Sequence, residues 1–156
     1  MSISSIRTAL ETKLNSITPA ISLSWENVPF TPVTGVPYAA CFLIPAAPDN
    51  PTHGDGFYRE QGLLQVSLFY PLQAGPQTAE ARASLIRAAF KRGTGIIIGV
   101  LGISWDGGIS WDNSISWAEG TITIIIDRTP EIGQGRVDGD RWHVPVKIRY
   151  EAGIIA

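Results

Sequence analysis

The chain of 156 residues holds one cysteine, one methionine and two histidines. A lone Cys41 cannot form a disulfide within the chain, which excludes a disulfide-stapled scaffold, and its apolar neighbours mark it as a small core residue. Two histidines far apart in sequence are too few ligands for a zinc-type centre. Charge is scarce too: Asp, Glu, Lys and Arg make up 17% of residues, against about a quarter in an average domain. The formal net charge of -2 lacks the basic excess of a nucleic-acid binder, so no direct nucleic-acid recognition is expected. No apolar run approaches the ~20 residues that cross a bilayer, and the longest, 96–101, is far shorter. The opening Met-Ser-Ile-Ser-Ser-Ile-Arg has no basic start followed by an apolar run, so no secretory signal is expected. The expectation is a soluble protein made in the cytoplasm, with no membrane partner.

What the chain does have is 44% apolar residues, with 16 glycines and 11 prolines. Its length suits one domain with a core large enough to need no cross-links. So many apolar residues with so little charge fit either a large core or an exterior partly covered by partner subunits.

Ile3, Ile6, Leu10, Leu14 and Ile17 fall three and four apart, which predicts a helix over 2–17 with one apolar stripe. Ser2 or Ser4 can cap its start and Pro19 stops it. A second helix opens at Gly75-Pro76 and ends at Gly93. Its inner stripe is Ala79, Ala83, Ile86 and Phe90; its outer stripe is Glu80, Ser84, Arg87 and Lys91. Between the helices, Ile21, Leu23 and Trp25 alternate with serines as a short half-buried strand. Pro29, Pro32, Gly35 and Pro37 mark an irregular connection. The unbroken apolar run Tyr38 to Ile44 predicts a strand buried on both faces. Residues 45–56 read as an exposed loop. Residues 57–70 read as a long strand with a bulge at Gly62 and a reach beyond the body of the domain.

In the closing third, Ile122, Ile124 and Ile126 alternate in a strand. A charged, Gly-rich connection over 127–141 leads into the last strand. There Trp142, Val144, Val146, Ile148 and Tyr150 face one way, and His143, Pro145, Lys147 and Arg149 the other. Two cations, a His and a Pro are what an exposed or edge strand carries against wrong pairing. Together these elements predict an α+β fold: an antiparallel or mixed β-sheet with two α-helices packed on one face.

Residues 102–118 repeat Ile-Ser-Trp three times with a period of six. Asp106-Gly107 and Asp112-Asn113 are turn formers, so the plain reading is a duplicated hairpin whose rings pack on the protein's own sheet. A hexapeptide β-helix is an alternative, but three copies barely reach the minimum for a solenoid. A third reading makes Trp105, Trp111 and Trp117 a platform for a carbohydrate or peptide partner.

Catalytic chemistry has no foothold. His53 sits in a Pro/Gly loop and His143 on the outward face of a strand, so both read as surface residues. No Gly-x-Ser-x-Gly elbow is present. Gly133 to Gly139 has the wrong spacing for a nucleotide loop and precedes a strand instead of a helix. Asp138-Gly-Asp140 is too short for a calcium loop. The expectation is a protein that is not an enzyme and carries no cofactor or metal.

The block from Thr129-Pro-Glu-Ile-Gly-Gln-Gly-Arg-Val-Asp-Gly-Asp-Arg to Tyr150 resembles a family of tailed-phage proteins, the tail-terminator-like proteins. Ile6-Arg-Thr-Ala-Leu and Ala89-Phe-Lys-Arg-Gly are similar to it as well. The likeness covers the chain outside 95–120, where the family has a short hairpin. One domain over 1–156 is therefore expected, with the Ile-Ser-Trp repeat as an insertion at about 95–120. The resemblance implies a structural virion protein at the head–tail junction, assembled in the host cytoplasm. It implies a homohexameric ring that caps the tail tube, stops its polymerisation and joins the tail to the head connector. The implied partners are further copies of the chain, the tail tube protein and the head–tail connector protein. Sheet edges, the 57–70 strand and the 127–141 connection are the docking elements expected of such a ring. On them Arg59, Glu60, Arg136, Asp138, Asp140 and Arg141 are the expected subunit or tail contacts. The alternatives are another minor tail or head–tail completion protein, or a binding module built on the Trp repeat.

Overall fold

Two antiparallel strands of fifteen residues each carry the molecule in a computed structural model that describes residues 3–54, 56–98 and 122–155. In chain order the elements are α1 (Ile3–Asn15), β1 (Ser22–Trp25), β2 (Tyr38–Pro45), β3 (Phe57–Pro71) and α2 (Gln77–Ala89). They continue as β4 (Gly95–Ile98), β5 (Ile122–Ile126), β6 (Glu131–Ile132), β7 (Arg136–Asp138) and β8 (Arg141–Ile155). The fold is α+β. The sheet order is β1-β2-β3-β8-β5-β4, with β6 and β7 also paired to β8. Only β1–β2 is parallel among the described pairs, so the sheet is mixed.

Period-two alternation builds the core on one face. Cys41, Val66 and Val146 stand side by side across β2, β3 and β8, and Leu43, Leu64 and Ile148 form the next row. Ile124 and Ile126 of β5 continue that face. The two helices cover it. Ile6, Leu10 and Leu14 of α1 are buried, as are Ala79, Ala83, Ile86 and Phe90 beside α2, the stripes their spacing predicts. Full burial of a side chain such as Phe90 contributes about 1.5–3 kcal/mol. The end of α2 is tied to the sheet: Gly93 adopts φ 81°, open to a residue without Cβ, and its N–H donates to Ile126 O at 2.9 Å.

Several expectations are corrected. β3 is no free arm, because all fifteen of its residues pair with β8. Its first seven residues are only exposed or half-buried, and the close packing begins at Leu64. Gly62 is no bulge either. The registers of β2–β3 and β3–β8 run through it without a slip. Its role is space: a Cβ there would lie 2.5 Å from the Tyr150 hydroxyl oxygen. β2 is buried on one face only, through Ala39, Cys41 and Leu43, while Phe42 and Ile44 are exposed on the other. The 127–141 connection is partly strand, since β6 and β7 continue the edge of β8 beyond β5.

Candidate assembly surface

The sheet face away from the helices divides into a closed end and an open end. At the closed end, the crossover from β1 to β2 folds back over the strands. Arg141, only 6% exposed, donates to Val33 O at 2.7 Å and also to Val36 O. Phe30 of the crossover packs on Tyr38 with ring centroids 5.1 Å apart. Tyr38 stacks on Phe69 at 4.9 Å, and Phe69 on His143 at 4.8 Å. The Arg141 guanidinium lies 5.3 Å from the Tyr38 ring centre, and Arg136 Nε donates to His143 Nδ1 at 3.3 Å.

This corrects the expectation of an outward surface His143. The residue does point to the helix-free side, but crossover and stack bury it to 5% exposure. Burial, and then the neighbouring Arg136, lower its pKa. Its Nε2 is buried without a hydrogen-bond partner. Trp142, on the other side of β8, lies so close to Gly135 that a Cβ there would be 2.4 Å from the indole. The glycines of 133–135 therefore let the β6–β7 segment close against β8.

At the open end the surface is mixed. Phe42, Ile44 and Ile125 are 42%, 47% and 41% exposed, and Lys147, Arg149 and Glu151 of β8 run between them. The ion pairs among the described residues are Arg7–Glu11, Arg7–Glu26 and Arg128–Asp127, so Arg59, Lys147 and Arg149 have no carboxylate partner among those residues. Apolar flanks around uncommitted charge suit contact with another protein better than contact with water alone.

The six residues expected to make contacts do not form one cluster. Arg59 and Glu60 lie near the start of β3. Arg136, Asp138 and Arg141 pair within the β7–β8 hairpin, with Asp140 in its turn, opposite the end of β3. Twelve residues of strand separate Arg59 from Pro71, the partner of Arg141, or about 40 Å at ~3.3 Å per residue. Arg59 is exposed on the helix-free side, and its backbone bridges Asp49 in both directions. Glu60 shares the opposite side with Ala152, near Tyr150, whose pKa is raised first by burial and then by Glu60. Arg141 is committed to the crossover rather than solvated in a turn. Trp105, Trp111 and Trp117 lie outside the described residues.

Two internal anchors escaped the sequence reading. Arg82 is 8% exposed and donates to Pro19 O, tying α2 to the segment after α1. The signal was available, because position 82 falls three residues after Ala79 on the inner stripe. Arg87, read as outer stripe, donates from Nε to the carbonyl of buried Pro130 at 3.1 Å.

No group of three or more metal-type ligands occurs among the described residues. None of the described helices is long and apolar enough to cross a membrane. A family model described as phage tail terminator protein matches residues 5–150. The chain belongs to the phage tail terminator family. The family is structural, which makes the chain a phage tail component that works through contacts with other tail and head components in the virion. A solved structure at 23% identity, with a TM-score of 0.71, is matched over 100% of this chain and 99% of its own length, and so shares the fold. No curated protein matches in sequence.

Proposed function

We propose that the protein assembles into a homohexameric ring on the last ring of the tail tube, ends tube polymerisation there and offers its far side to the head connector. The observation that carries this is the family match over 5–150, which spans both helices and nearly the whole sheet. The open end of the helix-free face supports it. A terminator must be complementary to the tube on one side and unable to accept another tube subunit on the other. Exposed apolar groups beside Lys147 and Arg149, which lack a carboxylate partner among the described residues, provide such contact chemistry, with Arg59 and Glu60 at one end of the sheet and Arg136, Asp138 and Asp140 at the other. Arg141 acts indirectly in this reading, by holding the crossover in place.

The test is to polymerise the tube protein with and without the chain and measure tube lengths by electron microscopy. Tubes that stop growing and carry an extra ring at one end are expected. Tubes of unchanged length with bare ends, at saturating concentrations of the chain, would overturn the reading.

A further inference from the structure

Among the described residues, two edge segments of the sheet carry little of the usual protection. Exposed edge strands normally carry charges, prolines or bulges that deter pairing with another chain. β4 is last in the sheet order, and its far edge meets no described strand. Its sequence, Gly-Ile-Ile-Ile, holds no charge, and Ile97 is 69% exposed. Ile126 N donates to Thr94 O, so alternation turns the Ile97 N–H away from β5 and toward the open edge. Beside that edge lies an open groove of about 960 Å³, bounded by Ser5, Thr8, Ala9 and Thr12 of α1 and by Ile96 and Ile98. These small helix side chains leave room beside β4 for another strand.

On the opposite side of the sheet, β1 covers only Tyr38–Cys41 of β2. Among the described residues Phe42 to Pro45 is therefore a second edge, with no charge and with Phe42 and Ile44 exposed; Pro45 closes it and offers no N–H, so Leu43 and the carbonyls are its pairing groups. Each open edge is four residues long, and each shows apolar side chains on the helix-free face.

We propose that the β4 edge of one copy pairs with the Phe42–Pro45 edge of the next, so that the sheet continues from subunit to subunit. The inference rests on the ring reading above and names its subunit contact. A second copy is the partner because the two edges differ and lie at opposite sides of one sheet. A head-to-tail contact needs two such unlike, complementary surfaces, and it closes into a ring when the rotation fits. Pairing β4 with β4 in a two-fold dimer would leave Phe42–Pro45 open. Main-chain hydrogen bonds would supply adhesion, and the alternating Ile and Phe side chains would set register.

Cysteine cross-linking tests this directly. Cys41 is buried and its thiol is pushed up to about 12 by that burial, so it does not compete. Under mild oxidation, Ile44→Cys and Ile97→Cys chains are each expected to stay uncross-linked alone. Mixed, they should give disulfide dimers, and the double variant should give a ladder up to the ring mass. Separately, Ile97→Lys should raise the concentration for half assembly about tenfold or more, as a charge at an apolar edge costs at least ~1.4 kcal/mol, with little change in thermal midpoint. Amide exchange at Ile97 should be fast in dilute monomer and slow in the ring.

Unmodified chain that forms a ring, but whose double variant gives no ladder and whose Ile97→Lys variant assembles normally, would overturn the edge contact and leave the ring reading standing. Cross-linking by Ile97→Cys alone would replace the head-to-tail contact with a two-fold one. An Ile97 amide already slow in dilute monomer would show that the chain covers its own edge, which also overturns the proposal. No ring from the unmodified chain, alone or with tubes, would remove both readings together.

Discussion

The two faces of this sheet obey the same alternation and end in opposite states. On the helix side, Val66, Val146, Ile148 and Ile124 are fully buried beneath α1 and α2. On the other side, their neighbours Lys147, Arg149, Phe42 and Ile125 stay half-buried or exposed, except where the crossover covers the strands. The helix side is completed within one chain. The open end of the other side stays uncovered among the described residues, and the proposed assembly contacts would form there. In the proposed reading, stability and assembly separate onto residues that are adjacent in sequence, a separation that substitution can test.

The largest effect is expected from Ile148→Ala, which empties a fully buried site and should cost about 2–5 kcal/mol in chemical denaturation. The adjacent Lys147→Gln should stay within ~0.5 kcal/mol, because its side chain leaves the opposite face. Similar costs for the two would break the comparison. Next comes Gly62→Ala, which sets a Cβ against buried Tyr150 and should cost about 1–3 kcal/mol. Tyr150→Leu in the same chain should recover part of that loss. Arg141→Met should cost about 1–3 kcal/mol by stranding the Val33 and Val36 carbonyls, with faster amide exchange over the crossover.

The smallest effect is a pH dependence. The folded-state pKa of His143 is lowered, so the unfolded chain takes up the proton first. The contribution of His143 is then complete above the unfolded value of ~6.5 and is lost as pH falls through that value toward the folded pKa. His143→Phe should flatten the thermal midpoint between pH 7 and 5; an unchanged slope would show that His143 does not carry it.

Both helices were legible because their stripes are local, with every third or fourth residue announcing its side. The inward set of β8 was legible for the same reason at period two. What escaped depends on distant chain. His143 follows the outward alternation, but outward means solvent only where nothing folds back, and the crossover does so through Arg141. The apolar run of β2 predicts burial on both faces, yet nothing in the described chain covers Phe42 and Ile44 fully. Gly62 suggests a bulge until Tyr150, eighty-eight residues later, is seen across it. β6 and β7 hold two and three residues, too few for alternation to register. The expected contact residues were individually placed on surfaces and turns, apart from Arg141, but no local pattern could show that they sit at opposite ends of the sheet.

The most direct test of the central claim is the mass of the protein in solution, measured by light scattering across a concentration series with and without tail tubes. A discrete hexamer-sized species, or a monomer that converts to one when tubes are added, is the predicted result. A strict monomer at every concentration that ignores tail tubes would contradict it.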